Sequence, residues 1–146
     1  RPPRSTPLYS SAASDVYKRQ RIDHGVRALE SPALTARLAH ERMPLTVCPL
    51  SNIKLCVFDA LHNHALPRML DAGLAVTVNS DDPAYFGGYL NDNFVQAFEA
   101  LPELGARQAY TLARNSLKAS FVDDATQARW IAALDTQFRF AATEAI

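Results

Sequence analysis

Two periods of apolar residues alternate along this chain, and the switches between them mark out its elements. Arg21-Ile22-Asp23 is a strand-like stub closed by the turn His24-Gly25. Ser31 and Pro32 then supply an N-cap and a first helical residue. Leu34, Leu38 and Ala39 give a helical apolar face that runs through Arg42, and Pro44 breaks it. Leu45-Thr46-Val47-Cys48 is β-rich and ends at Pro49, with a loop predicted over residues 50–55. A second helix is predicted from His64 to Ala72, with Leu66, Met69 and Leu70 inward and Gly73 as its left-handed stop. Leu74 to Asn79 is the clearest strand, because its near-continuous apolar run suits a parallel strand buried on both faces. After Gly87-Gly88, Asn91 or Asp92 is placed to cap a helix with Phe94, Val95, Phe98 and Leu101 inward. Residues 106–119 and 124–142 read as two further helices.

Strand, helix, strand, helix, strand, helix calls for parallel strands joined by right-handed crossovers. The class is α/β. Three strands are few for such a sheet, which needs helical cover on both faces.

Composition narrows the picture. At 146 residues the chain has room for one ordinary domain, and 48% apolar against 21% charged residues permits a packed core. The 15 basic and 15 acidic residues cancel, which argues against a nucleic-acid partner. No apolar run approaches the roughly 18 residues of a membrane span. Two cysteines are too few for a disulfide framework, so a reducing, cytoplasmic setting is expected. The neutrality holds only as a sum. Residues 1–20 hold Arg1, Arg4, Lys18 and Arg19 against Asp15, so the rest of the chain is mildly acidic. This head is rich in proline and serine, has no apolar period, and contains STPLYSSAASDVYKRQ, which resembles translated adapter sequence. Residues 1–20 are therefore expected to be a disordered or artefactual leader, and residues 21–146 the folded portion.

The candidate chemistry clusters at strand ends. His24 follows the first strand, Cys48, Ser51 and Asn52 the second, and Asn79, Ser80, Asp81 and Asp82 the third. In α/β barrels and open α/β sheets, ligands bind at the carboxyl edge of the strands. Each residue also has an ordinary reading. His24 can be a loop hydrogen-bonder, Asp-Asp-Pro a turn and helix entry, and Cys48 a small buried apolar residue. Cys56, His62 and His64 match no zinc spacing, and Lys54 and Arg68 read as solvated. Two adjacent carboxylates aimed into one pocket need compensation, from a cation or from a proton held by one of them.

Ile22-Asp23-His24-Gly25, Thr46-Val47-Cys48-Pro49-Leu50-Ser51-Asn52 and Asn79-Ser80-Asp81-Asp82-Pro83 resemble, in order and spacing, the last three strand-end motifs of the adenosine and adenine deaminase family. That resemblance covers residues 21–142. It implies the C-terminal part of a zinc-dependent (β/α)8 barrel of the amidohydrolase type, about strands six to eight with the terminal helices. The loops Cys48 to Phe58 and Asp82 to Tyr89 resemble the adenine-specific branch, which implies hydrolysis of adenine to hypoxanthine and ammonia and a small-molecule purine as partner. By the same resemblance His24 matches the histidine that orients or deprotonates the attacking water. Asp81 matches the carboxylate ligand of Zn2+, and Asp82 the carboxylate that hydrogen-bonds the purine. Ser80 departs mildly from the threonine common in adenosine deaminases. The larger departure is that the family's early H-x-H and its H-x-x-E with the proton-donating glutamate have no counterpart here, since His62-Asn63-His64 lies late in the chain. The chain is therefore expected to bind zinc weakly and to be inactive alone. Two other readings remain open: an adenosine deaminase of the same fold, and a non-catalytic α/β module whose strand-end residues are only caps and turns.

Overall fold

The structure is a computed structural model and describes residues 20–144. The expected leader at residues 1–20 lies outside the described residues except for Gln20. Three strands, β1 (Ile22–Asp23), β2 (Pro44–Val47) and β3 (Ala75–Val78), form one parallel sheet in the order β1-β2-β3. Ile22 pairs with Leu45, and Pro44 through Val47 pair with Ala75 through Val78. All four residues of β3 are buried, Thr77 included, as its near-continuous apolar run predicts.

Helices fill the connections and follow the sheet: α1 (Pro32–Glu41), α2 (Pro49–Lys54), α3 (Leu66–Asp71), α4 (Pro83–Phe86), α5 (Leu90–Ala100), α6 (Ala106–Lys118) and α7 (Asp124–Glu144). Short 3-10 turns occupy Val26–Glu30 and Leu61–Asn63. Ser31 caps α1 as expected, its hydroxyl accepting from Leu34 N–H at 3.3 Å. The core sits between the sheet and its helices. Leu45, Val47 and Val76 of the sheet, Leu66 and Met69 of α3, Ala97 of α5 and Leu112 of α6 have no exposed surface. Asn115 of α6 donates to Val76 O at 2.9 Å, so this helix is tied to the backbone of β3 by a polar bond as well as by packing.

Four expectations are corrected. Residues 50–55 are not a loop. Pro49 begins α2 as its first helical residue, and Leu50 N–H, left without a partner inside the helix, donates to buried Asn93 Oδ1 at 3.1 Å. The helix predicted from His64 begins at Leu66, because the His64 ring turns back to accept from Leu66 N–H. Neither Asn91 nor Asp92 is the N-cap of α5. Tyr89 holds that position, and Asp92, three residues in, accepts from Tyr89 N–H at 2.7 Å. Val95 and Leu34, both expected to face inward, are exposed. Asn93 and Ala97 are the fully buried residues of α5, with Phe94 and Phe98 half-buried against the core and Leu101 buried just past the helix end as expected, and Leu34 lines an open apolar cavity beside Ile22 and Leu55.

Gly25 controls how the chain leaves β1. Its φ is +70°, and an added Cβ would stand 2.8 Å from Leu45 Cδ2. Gly73 has a similar φ of +75° with no atom near its missing Cβ. Both Gly→Ala variants incur left-handed backbone strain, but only Gly25→Ala forces a repacking of Leu45. Denaturant unfolding should find Gly25→Ala less stable than Gly73→Ala by about 1–3 kcal/mol.

Candidate active site at the carboxyl ends of the strands

Two of the three strand ends turn through left-handed residues that carry the candidate chemistry. His24 has φ +56° and Asp81 has φ +58°. Histidine and aspartate tolerate this region better than most residues, and such local strain tends to gather at functional sites. His24 N–H still completes the ladder by donating to Thr46 O at 3.0 Å, and Asn79 N–H donates to Val47 O at 2.9 Å. The three ends therefore stand at one level.

Their side chains meet there. His24 Nε2 lies 3.6 Å from Asp81 Oδ2. The same oxygen accepts from Ser51 Oγ–H at 2.7 Å, and Asp81 Oδ1 accepts from Asp82 N–H at 2.9 Å. Asp82 points elsewhere: its Oδ1 accepts from Ala84 N–H and Tyr85 N–H, both at 3.1 Å, and caps α4. The paired carboxylates thus find compensation in hydroxyl and amide donors, with different donors for each. A cavity of about 440 Å³ opens over this edge between Asp23, His24, Cys48 and Asp81. Beside it is an apolar cavity of about 430 Å³ that shares His24.

A ring nitrogen of His24, Cys48 Sγ and the Asp81 carboxylate lie within 4.8 Å of one another, the one such group of possible metal-binding side chains among the described residues. The Asp81 carboxylate is an ordinary oxygen donor for zinc, so this edge fits the ion, with His24 beside it. Cys48 is a poor second donor. Burial, with the negative charge of Asp81 added, pushes its thiol up to about 12, and the thiol donates to Thr46 O at 3.4 Å. The ordinary reading of Cys48 as a small buried residue holds. His62 is exposed while His64 is 3% exposed, so they do not act as a pair.

Ser51 and Asn52, placed at the second strand end but given no task, and His64, set aside as a metal ligand, prove to be connected to the site. Ser51 and Asn52 are fully or almost fully buried because α2 turns them inward, and Asn52 joins two histidines. Its Oδ1 is 3.1 Å from His64 Nε2, and its Nδ2 is 3.4 Å from His24 Nδ1. Phe58 packs on the His64 ring at a centroid distance of 4.6 Å. Burial, helped by the charge of Arg68, lowers the His64 pKa to about 4. The one available signal was that two polar residues follow Pro49 at the end of a buried strand.

Comparison with known proteins identifies relatives of the whole described fold. The family profile described as Adenosine deaminase matches residues 7–137. The chain is 58% identical over 130 residues to a protein named adenine deaminase from Geotalea uraniireducens, covering 89% of this chain and 37% of that relative. The crystal structure of an adenine deaminase from Arthrobacter aurescens superposes with a TM-score of 0.82 at 45% identity, covering 93% of this chain and 41% of the other. An amidohydrolase from Burkholderia ambifaria, solved with bound Zn, superposes with a TM-score of 0.78 at 25% identity, covering 92% of this chain and 38% of the other. The fold is the expected α/β class, part of a (β/α)8 barrel, and the chain spans little more than a third of the length of these relatives.

His64 gives the site a measurable signature. A histidine whose folded pKa is about 4, against 6.5 ordinarily, stays neutral in the folded state while the unfolded chain takes up a proton. Its contribution is complete above about pH 6.5 and is lost as pH falls toward 4. Unfolding free energy measured over this window should fall more steeply for the native chain than for His64→Gln, the slopes differing by up to one proton, on the order of 3 kcal/mol across the window.

Proposed function

This chain belongs to the adenosine deaminase family, and we propose that it forms part of a hydrolase that converts adenine and water to hypoxanthine and ammonia. The observation that carries the reading is the meeting of His24 and Asp81, at 3.6 Å, at an edge shared with Ser51. The identity to adenine deaminases over nearly the whole chain supports adenine as the substrate.

Asp81 would hold the zinc ion, its carboxylate already oriented by Ser51 and by Asp82 N–H. When bound, zinc supplies a water acidic enough to attack near neutral pH. His24, beside Asp81, faces the attacking oxygen and orients it toward C6 of the purine. Asp82 spends Oδ1 on the α4 amides, which leaves Oδ2 to accept a hydrogen bond from the purine. Addition at C6 breaks the ring's aromaticity, so N1 must gain a proton as the carbon becomes tetrahedral. The exocyclic nitrogen then leaves as ammonia, its departure completed by a second proton transfer. None of His24, Asp81 and Asp82 is placed as the N1 acid. That acid and the remaining zinc donors are assigned to the length that the relatives have beyond the span matched here.

The test joins this chain to the remaining length of the Geotalea uraniireducens relative and loads the product with zinc. The ultraviolet change from adenine to hypoxanthine should appear for the joined protein and not for the 146-residue chain alone. Asp82→Asn should lower kcat/KM for adenine by about 10- to 100-fold, the cost of one charge-assisted hydrogen bond. Preference for adenosine over adenine, or an Asp82→Asn variant at full efficiency, would overturn the assignment.

A further inference from the structure

A chain of hydrogen bonds begins at the backbone amide of Leu66 and ends at His24. Leu66 N–H can only donate, and it lies 3.1 Å from His64 Nδ1, so that nitrogen is an acceptor. A neutral imidazole has one N–H, which must then be on His64 Nε2. His64 is neutral at physiological pH because burial holds its pKa near 4. Its Nε2–H faces Asn52 Oδ1 at 3.1 Å, and this fixes which end of the Asn52 amide is oxygen. The amide nitrogen therefore faces His24 and donates to Nδ1 across 3.4 Å. With Nδ1 accepting, neutral His24 must hold its proton on Nε2, on the side of Asp81.

We propose that Asn52 and His64 are positioning residues that lock His24 as the Nε2–H tautomer, so that toward an oxygen nucleophile it is a hydrogen-bond donor. The part about the nucleophile rests on the deaminase reading, whereas the tautomer rests on the hydrogen bonds alone. In this form His24 has no lone pair facing the cavity. It orients the attacking water by donating to its oxygen and does not take the water's proton. The order of donors leaves no alternative along the chain, since a backbone amide cannot reverse. The relay is also rigid. Asn52 is 2% exposed on α2, and His64 is held by the Phe58 ring on one side and by the start of α3 on the other.

Ring nitrogens of histidine report their protonation directly in long-range 1H–15N correlation spectra. The chain has four histidines, and His40 and His62 are exposed and serve as internal references. The spectra are recorded at pH 8 without metal or substrate, both in the 146-residue chain and in the joined protein described above. His24 and His64 should each appear as a fixed Nε2–H tautomer, while His40 and His62 show averaged shifts. Asn52→Asp is the decisive variant. A carboxylate only accepts, so His24 should turn its proton to Nδ1 while His64 remains Nε2–H. His64→Gln, which can still donate to Asn52, should keep the His24 pattern, and His64→Leu should lose it. In the joined protein, Asn52→Asp should lower kcat about 10- to 100-fold with KM little changed, as for other outer-shell partners. An Nδ1–H His24 in the native chain, or a His24 spectrum unchanged by Asn52→Asp, would overturn the relay. A different substrate would leave the spectra as predicted and overturn only the deaminase reading.

Discussion

Parallel pairing forces β1, β2 and β3 to end on one side, and the site follows from that constraint. Pairs in register from Ile22–Leu45 to Val47–Val78 bring residues 23, 47 and 78 to one edge, and the chain must turn at once after each. A side chain that follows a parallel strand has few directions open to it. His24 and Asp81 take left-handed backbone angles there, which turns their side chains over the sheet edge and toward each other. Gly25 makes the first turn possible because Leu45 fills the space a Cβ would need. The strain at these turns is offset by ladder bonds that continue through them, from His24 N–H to Thr46 O and from Asn79 N–H to Val47 O.

The adjacent carboxylates show how such an edge manages charge. From sequence, Asp81 and Asp82 need a cation or a shared proton. The left-handed turn at Asp81 separates their tasks: Asp82 caps α4, and Asp81 is held by Ser51 and the Asp82 amide. Amide and hydroxyl donors thus hold both carboxylates in fixed orientations. With the Asp81 carboxylate held in this way beside His24, little further ordering of that side chain would be needed on binding a ligand.

Around this edge the helices do different work. α2 is short, yet it delivers Ser51 to Asp81 and Asn52 to His24, and its own N-terminus is anchored by Asn93 of α5. α6 is held against β3 through buried Leu112 and through Asn115, which donates to Val76 O. Tyr110 fastens α7 to α6 by donating to Asp135 at 2.7 Å and packing on Phe138. No helix among the described residues is long and apolar enough to cross a membrane.

The sequence by itself determined the α/β order, the strands at Leu45 and Ala75, most of the helices, and the placing of His24, Asp81 and Asp82 at strand ends. These features are local: period, caps, proline and glycine decide them within a few residues. Tertiary structure alone decided that residues 49–54 form a helix, that Val95 and Leu34 face outward, and that Asn52 connects His24 to His64. The last case shows the reason. Asn52 is 28 residues from His24 and 12 from His64, separations set by how α2 lies against the ends of β1 and α3. No period or cap encodes a contact across such distances. His64 looked like a stray member of a poor metal motif because its partners, Leu66 N–H and Asn52 Oδ1, become visible only when the chain is folded.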